Sequence, residues 1–416
     1  MLVEESISNH LITYNDLYSD FIFEFLQSFD SRKNLDFRSG DRLEFSISGR
    51  HRCNKINPLI KFAEPEDVDD IISIYQDIYE NSYPYKEMED PDEILAMIES
   101  QNTEFFVFQN FKGENLGCFT LILDFQNKMG YTRGLNIRKK YLGRVDVLKA
   151  FMGCFLGACI KYDDKIFRWY GESRTAHSKS QFIMRLCGFR PVGFYPNKDF
   201  FYNKIESDIL IISYDERALR EYRSKKLPLI LPKIENSFIY SDKKFNLGDY
   251  ELFFPKIRLD TKKLIKLKRK LKKKIIRDKF GYHDILFYFT DSESYFKFLY
   301  TPRVQNFEKT KYKVKDLEEL YIFAQEFKNA AKEFNVRYFE VFVSAYNTEH
   351  QKIFSDLGMI PRGYVPSWKF NDKSKSFEDY VLFNHNEEKI ADNMQLLEEG
   401  KELLRYLGYT IENKII

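Results

Sequence analysis

Residues 181–200 read QFIMRLCGFRPVGFYPNKDF, and residues 351–370 read QKIFSDLGMIPRGYVPSWKF. Seven of these twenty positions are identical at an offset of 170, far more than chance would supply. The identical pairs are Gln181 and Gln351, Ile183 and Ile353, Gly188 and Gly358, Pro191 and Pro361, Gly193 and Gly363, Pro196 and Pro366, and Phe200 and Phe370. Because this offset far exceeds the roughly 20–50 residues of solenoid repeats, the repeated unit is a whole domain.

The sequence around each copy predicts the same series of secondary-structure elements. A long amphipathic helix precedes an aromatic strand, and a short helix ended by glycine leads into a strand hairpin. In the first copy these elements are Arg144–Tyr162, Lys165–Gly171, Ser178–Cys187, Arg190–Tyr202 and Ile205–Tyr214. In the second copy they are Lys315–Phe334, Val336–Ser344, Asn347–Leu357, Pro361–Phe370 and Phe377–Asn384. Upstream, the first copy predicts a helix at Pro65–Tyr79 and strands near Phe105–Gln109, Leu116–Asp124 and Tyr131–Ile137.

We therefore expect an α+β fold with a mixed sheet, in two similar domains. The predicted divisions are an N-terminal extension at 1–58, a first domain at 59–217, a linker at 218–247, a second domain at 248–390 and a C-terminal helix within 391–416. Within the extension, the pattern predicts only a helix over 15–29.

The composition is that of a globular chain, with 44% hydrophobic and 31% charged residues. A net charge of +2 excludes a global field that would recruit nucleic acid. The longest near-apolar run, Ala150–Ile160, falls far short of the roughly 20 residues that cross a bilayer. The acidic start MLVEESISNH is unlike a secretory signal. These features predict a cytoplasmic protein without a membrane span.

The cysteines and histidines lack the spacings of metal sites or disulfide frameworks. We expect buried, reduced thiols and no metal ion. The five cysteines are Cys53, Cys118, Cys154, Cys159 and Cys187.

Positive charge is concentrated in one segment. Lys225–Phe280 holds 18 Lys and Arg against 6 Asp and Glu. Its densest part, Lys262–Lys279, predicts an amphipathic helix with an apolar stripe that includes Leu264 and Leu267. Two interpretations stay open: a helix docked by that stripe with solvated lysines outside, or a surface for a phosphate-rich partner such as RNA or an acidic membrane.

A basic loop joins the strand that ends at Ile137 to the helix predicted to begin near Arg144. It contains four cations and a glycine: Arg138, Lys139, Lys140, Gly143 and Arg144. A helix N-terminus presents unpaired N–H groups and a partial positive charge, so a diphosphate suits this position. A basic surface turn with a routine glycine is the alternative.

This order of elements, with its basic glycine loop, resembles the Gcn5-related N-acetyltransferase (GNAT) superfamily. The resemblance covers 59–215, and its later half recurs within 248–390, as in tandem-domain members with a degenerate second half. It implies an acetyl-CoA donor whose pyrophosphate binds the loop, with these positions in contact: Ile137, Arg138, Lys139, Lys140, Leu142, Gly143, Arg144 and Val145. The family's loop pattern, Arg/Gln-x-x-Gly-x-Gly/Ala, begins here with lysine and ends with Val145. The second half has no glycine in Thr301–Lys313, so we expect no donor there.

Acyl transfer requires a neutral amine, a polarised carbonyl and a proton for the leaving thiolate. Family members often supply that proton from a tyrosine at positions occupied here by Met184 and Phe354. The candidate catalytic residues are therefore Glu172 and Asp124 as bases, and Tyr195 as a proton donor. Surface or cap roles for both carboxylates are the alternative.

The sequence thus predicts an acyl-CoA-dependent N-acyltransferase that moves acetyl from acetyl-CoA to an amine of a small molecule or protein. An alternative is a catalytically weak or inactive GNAT-like binding or regulatory protein, associated with RNA through Lys262–Lys279. The acceptor and the oligomeric state are not written in these residues.

Overall fold

The computed structural model describes residues 10–12, 20–27, 38–43, 45–47, 55–391 and 393–410. They divide into two compact units. Unit 1 comprises residues up to 191 together with 201–203 and 210–221. Unit 2 comprises 192–200, 204–209 and the residues from 222 onwards.

Unit 1 contains a mixed sheet and a short separate strand pair. The separate pair is β1 (His10–Ile12) with β2 (Phe45–Ile47), which run parallel. The sheet strands are β3 (Leu59–Phe62), β4 (Thr103–Gln109), β5 (Asn115–Asp124), β6 (Met129–Ile137) and β7 (Arg168–Arg174). Successive strands are antiparallel neighbours from β3 to β6, whereas β7 runs parallel to β6.

Helices cover both faces of this sheet. They are α1 (Ile22–Gln27), α2 (Val68–Tyr79), α3 (Pro91–Glu99), α4 (Val147–Lys161), α5 (Lys179–Leu186) and α6 (Glu216–Arg220). On one face, Tyr75 and other apolar residues of α2 share a core with Phe105 and Val107 of β4. On the other face, Phe155 of α4 packs on Trp169 at 5.7 Å. The sheet is therefore buried between α2 and α4.

The hairpin strands β8 (Arg190–Phe201) and β9 (Lys204–Tyr214) have residues in both units. The other strands of unit 2 are β10 (Leu229–Ile230), β11 (Glu251–Leu252), β12 (Lys272–Arg277), β13 (His283–Tyr288), β14 (Tyr295–Thr301), β15 (Asn306–Lys313), β16 (Tyr338–Ser344), β17 (Ile360–Asn371) and β18 (Ser376–Asn386). Strands β12 to β15 are antiparallel neighbours, β15 and β16 are parallel, and β18 lies between β16 and β17.

The helices of unit 2 are α7 (Glu235–Phe245), α8 (Thr261–Lys270), α9 (Leu317–Glu333), α10 (Thr348–Asp356) and α11 (Glu398–Tyr406). Helix α9 covers one face of β14 and β15, since Phe327 packs on Phe296, Phe298 and Phe307. The core beneath this helix is therefore rich in phenylalanine.

The repeated residues have physical reasons to be identical. Gly193 of β8 and Gly363 of β17 are direct partners, and a Cβ on Gly363 would lie 2.5 Å from the Val192 carbonyl oxygen. Only glycine allows this close approach of two backbones. Gly188 and Gly358 have φ angles of 79° and 89°, the left-handed conformation that ends a helix.

The glutamines of the repeat also occupy equivalent positions. Gln181 Nε2 donates to the Arg174 carbonyl at 3.3 Å, and Gln351 Nε2 donates to the Ser344 carbonyl at 3.0 Å. Arg174 and Ser344 are themselves 170 residues apart, at the ends of β7 and β16. Each glutamine therefore ties the end of the aromatic strand to the helix that follows it.

The helix predicted over 262–279 is wrong beyond Lys270. The chain leaves the helical conformation at Leu271, and β12 then pairs with β13 along its whole length. Ile275 and Ile276 are β-branched and favour a strand, and pairing with β13 overrides the helical spacing of the leucines.

The segment predicted as a linker, 218–247, contains α7, which packs within unit 2. Ser241 Oγ donates to the Tyr364 carbonyl at 2.7 Å, and the Phe238 ring lies 4.8 Å from the Tyr364 ring. Much of this segment is thus part of a folded core.

Other expectations have mixed outcomes at the chain ends. Of the helix expected over 15–29, the described part is helical at 22–27. Helix α11 lies within the expected 391–416.

Cys53 lies outside the described residues, and the other four cysteines are free and buried.

Candidate functional site

The parallel strands β6 and β7 pair at one end and part at the other. Pairing runs from Met129 with Arg168 to Thr132 with Gly171. Both strands continue past that point, β6 through Ile137 and β7 through Arg174, without pairing to each other. The main-chain groups of this stretch of β6 that face β7 are therefore not used by the β6–β7 ladder. We call this opening the strand cleft.

A bulge in β6 marks the start of the strand cleft. On β5, Thr120 pairs with Arg133 and Cys118 pairs with Asn136, so β6 holds an extra residue between them. Gly134 sits in the bulge with a φ of 65°. A Cβ at this position would lie 2.1 Å from Tyr75 Oη, so the site requires glycine.

The Tyr75 hydroxyl is an unpartnered polar atom at this bulge. It is buried and has no hydrogen-bond partner in the described part of the chain. Burial raises the pKa of Tyr75 well above its ordinary value, so the group stays protonated and keeps its O–H donor. Asn136 Nδ2 lies 3.8 Å from the position that a Cβ on Gly134 would occupy. A buried donor without an acceptor favours a carbonyl oxygen or a water at this position.

The α2 side of β6 and β7 carries half-buried polar and aromatic side chains. The Tyr131 and Tyr170 rings stack at 4.8 Å. Arg133 Nη2 lies 2.8 Å from Glu87 Oε1, and the Arg174 guanidinium lies 4.2 Å from the centre of the Phe201 ring. This side therefore combines flat apolar surfaces with fixed charges.

The basic loop folds as a single 3₁₀ turn, Lys139–Tyr141, followed by Gly143 with a φ of 76°. Space around Gly143 is open, since a Cβ there would meet nothing within 4 Å. The loop directly follows β6, at the parted end of the strand cleft.

Helix α4 begins at Val147, so the predicted start at Arg144 is wrong. Asp146 is the N-cap, and its carboxylate accepts from the Lys149 amide at 3.4 Å. The backbone of Ile56 is hydrogen-bonded to the residues just before the helix. Its N–H donates to the Arg144 carbonyl and its carbonyl accepts from the Asp146 amide, each at 2.8 Å. A negative charge of the chain itself thus lies at the end of the helix where a diphosphate was predicted.

Three of the four loop cations, Arg138, Lys139 and Lys140, already contact acidic side chains. Arg138 Nη2 lies 2.9 Å from Asp70 Oδ1, and its Nη1 donates to Ser73 Oγ at 2.9 Å. Lys139 pairs with Glu80.

The other two loop cations, Lys140 and Arg144, differ in their contacts. Lys140 pairs with Glu114, and this hydrogen bond lowers the pKa of Glu114 to about 2. Arg144 is exposed and makes no ion pair with the described residues. Exposed ion pairs of this kind contribute little to stability, so a phosphate can exchange for the carboxylates.

Side-chain exposure divides the predicted donor-binding positions. Ile137 and Val145 are buried, whereas Lys139, Lys140, Leu142, Gly143 and Arg144 are exposed. The loop can therefore meet a ligand through its cations, its glycine backbone and Leu142, which is 63% exposed.

The predicted catalytic residues lie on three different strands, β7, β5 and β8. Glu172 is half-buried and is the first residue of β7 beyond the last pair with β6, so it borders the strand cleft. Asp124 is the last residue of β5 and pairs with Met129 at the opposite end of β6, roughly 25 Å along the strand from the loop at about 3.3 Å per residue. Its carboxylate accepts from the Asn127 amide at 2.9 Å and caps that turn. Tyr195 belongs to unit 2, where it is buried beside Tyr338.

Two site residues were not found from the sequence. Asp146 had a readable signal, because an acidic residue directly before an apolar run is a typical N-cap. Tyr75 had none, because a tyrosine in the apolar stripe of a helix looks like any core residue. Met184 and Phe354 are both buried and apolar, so neither donates a proton.

In unit 2, the parallel strands β15 and β16 also separate after a short pairing, and side chains pack beside them. Strands β15 and β16 pair only from Asn306 with Tyr338 to Phe307 with Phe339. Further along β15, Tyr312 packs on Phe354 of α10 at 5.7 Å, and its hydroxyl lies 3.2 Å from His350 Nδ1.

Within the described ranges, no group of three or more His, Cys, Asp or Glu side chains is arranged to hold a metal ion. No helix among the same residues has the length and apolar character needed to span a bilayer.

Comparison with known proteins gives only distant structural similarities. No family model and no curated protein matches the chain. A mutant of SpeG spermidine N-acetyltransferase from Vibrio cholerae is 13% identical, with a TM-score of 0.33 over 38% of this chain and 94% of its own. A manganese complex of SpeG from the same organism is 14% identical, with a TM-score of 0.32 over 38% and 92%. A dodecameric structure of that enzyme is 14% identical, with a TM-score of 0.33 over 39% and 95%. At these scores the similarities carry no argument about this chain.

Proposed function

We propose that this chain is an acyl-CoA-dependent N-acyltransferase whose first unit binds the donor in the strand cleft between β6 and β7. The observation that supports this most is the parting of two parallel strands beside an unpartnered Tyr75 hydroxyl. The main-chain groups of Arg133–Ile137 that face β7 suit the amides of an extended pantetheine chain. The exposed loop cations then lie on the path of the donor's diphosphate.

Two of the three requirements of acyl transfer have a candidate group at the strand cleft. The Tyr75 hydroxyl is the donor that would polarise the acyl carbonyl. The amine nitrogen attacks that carbonyl carbon, the new C–N bond forms and the C–S bond breaks. Glu172, which borders the cleft, is the group that would accept the proton of the amine. Met184 cannot protonate the thiolate, so in this proposal the thiolate takes a proton from water. The hydroxide left behind takes the amine's proton from Glu172, which restores the carboxylate.

The acceptor is an amine bound on the α2 side of β6 and β7. Stacked Tyr131 and Tyr170 offer a flat apolar surface, and Glu172 adds an anionic group beside it. An amine of a small molecule or a protein fits this combination. In unit 2, the packing of Tyr312 on Phe354 favours a scaffold role without a donor.

Titration of the full chain with acetyl-CoA tests the donor site. We expect Gly143→Glu to weaken binding strongly, because it adds a negative charge beside the diphosphate. Gly143→Gln is the matched control, since it has the same size and the same positive φ but no charge. Equal affinities for the two variants would refute this placement, and no binding by the folded wild type at millimolar ligand would end the proposal.

The second candidate is a donor-binding protein without turnover. Asp146 at the start of α4 and the apolar Met184 favour it. Tight acetyl-CoA binding with no thiol release across a panel of amines would support this candidate. Amine-dependent thiol release that is lost in Glu172→Gln would support the enzyme.

A further inference from the structure

Unit 2 has a sheet face that no helix covers in the described part of the chain. Strands β14 and β15 are covered by α9 on one side, and every residue of β12 is exposed. Since side chains alternate along a strand, the residues between the buried phenylalanines point the other way. Burial follows this alternation on β14, where Tyr295 and Lys297 are exposed while Phe296 and Phe298 are buried. We call this surface the open face.

Strand register places the side chains of the open face in rows. One row runs Lys272, Tyr288, Tyr295 and Lys313 across β12, β13, β14 and β15. Two tyrosines therefore sit side by side at the centre with a lysine at each end. At about 4.8 Å between strands, the row is roughly 14 Å wide.

The adjacent row repeats this pattern with an aliphatic centre. It runs Lys274, Leu286, Lys297 and Lys311 across the same four strands. All five lysines of the two rows are exposed, and Tyr295 is 37% exposed.

The charge of the open face is only partly neutralised. Lys297 Nζ lies 3.2 Å from Asp284 Oδ1, and Lys313 pairs with Glu293. The other three lysines, Lys272, Lys274 and Lys311, have no carboxylate partner among the described residues. The five lysines of the rows and the two carboxylates that pair with them together carry a net charge of +3.

We propose that the open face binds single-stranded nucleic acid. Tyr295 is exposed and Tyr288 is half-buried. Accessible tyrosines on a sheet are a sequence-tolerant platform for unstacked bases, and lysines at the rim neutralise phosphates. A duplex hides the faces of its bases, so the tyrosine pair favours a single strand. A membrane surface calls for a larger apolar contact, and Leu286 at the centre is half-buried. The proposal concerns unit 2 alone and does not depend on the donor site.

Fluorescence anisotropy of the full chain with a labelled oligouridine tests this proposal. A probe of about 12 nucleotides falls within the roughly 4–16 nucleotides that single-strand-binding folds cover. We expect saturable binding at about 50 mM salt, with a slope of log affinity against log salt of about −2 to −3.5, corresponding to three to five neutralised phosphates. A duplex of the same length and anionic phosphatidylserine vesicles serve as competitors, and both are expected to compete less well than unlabelled oligouridine.

Two variants separate stacking from charge. Tyr288→Leu with Tyr295→Leu should weaken binding about tenfold or more with little change in slope. Lys272→Gln with Lys274→Gln and Lys311→Gln should reduce the magnitude of the slope by about 2. The lysine triple variant changes only exposed side chains, so it stays informative if the tyrosine variant fails to fold.

The matched control removes three charges from α8, which lies beside α9 rather than on the open face. It combines Lys262→Gln, Lys266→Gln and Lys268→Gln, and we expect less than a threefold change in affinity. Three results would overturn the proposal: no binding by the folded chain at low salt, equal losses in the control and the open-face lysine variant, or stronger competition by duplex or vesicles.

Discussion

Asp146 lies where the proposed donor diphosphate meets α4, so removing its charge should tighten donor binding. Its carboxylate accepts from the Lys149 amide at 3.4 Å and occupies the first turn of the helix. Asp146→Asn keeps this cap, because asparagine is as good an N-cap as aspartate. The substitution therefore changes charge with little change in helix stability.

The size of the effect follows from Coulomb's law. A diphosphate bonded to the first turn would lie roughly 5 Å from the Asp146 carboxylate, and two unit charges at that distance repel by about 0.8 kcal/mol in water. A diphosphate with about two negative charges therefore loses roughly 1.7 kcal/mol, or about fifteenfold in affinity. Screening at about 0.1 M salt reduces this, so we expect a five- to fifteenfold gain for Asp146→Asn.

Isothermal titration with acetyl-CoA at two salt concentrations measures this gain. Asp90→Asn is the control, because Asp90 caps α3 in the same way, accepting from the Glu93 amide at 3.1 Å. It should leave the affinity unchanged. If Asp146→Asn and Asp90→Asn have equal effects, no diphosphate binds at the start of α4.

Two further predictions concern stability. Arg223→Met removes the ion-pair partner, at 2.6 Å, of the fully buried Asp379 and should reduce the free energy of unfolding by about 3–5 kcal/mol, as measured by urea denaturation. The control Lys375→Met, at an exposed ion pair, should change it by less than about 0.5 kcal/mol. Equal denaturation midpoints for the two variants would contradict this prediction. Burial lowers the pKa of His350 from 6.5 to about 4, so the unfolded state binds more protons between those values and stability falls as the pH drops through that window. From pH 7 to pH 5 this group should account for a loss of about 2 kcal/mol, which His350→Gln should remove, and an unchanged pH dependence in that variant would show that His350 does not carry it.

Local patterns predicted the repeated elements well. Gly188 and Gly358 were read as helix ends, and both adopt the left-handed conformation. The aromatic strand of the second copy, expected at 336–344, is found at 338–344. These features depend on residues close in sequence, which is why they can be read without a structure.

Features set by contacts distant in sequence could not be read. The segment after Lys270 became β12 because β13 pairs with it, against the helical spacing of its leucines. The strand cleft depends on where the pairing of β6 with β7 stops, and register is not visible in either strand alone. Tyr75 became a site candidate only because Gly134, 59 positions later, bulges against its hydroxyl.

Hydrogen exchange of the full chain with and without coenzyme A tests the central claim most directly. A donor in the strand cleft would protect those amides of Arg133–Ile137 that face β7 and the turn around Gly143, while β15 and β16 of unit 2 would exchange as before. Protection confined to Asn306–Lys313, or none anywhere at saturating ligand, would contradict the account.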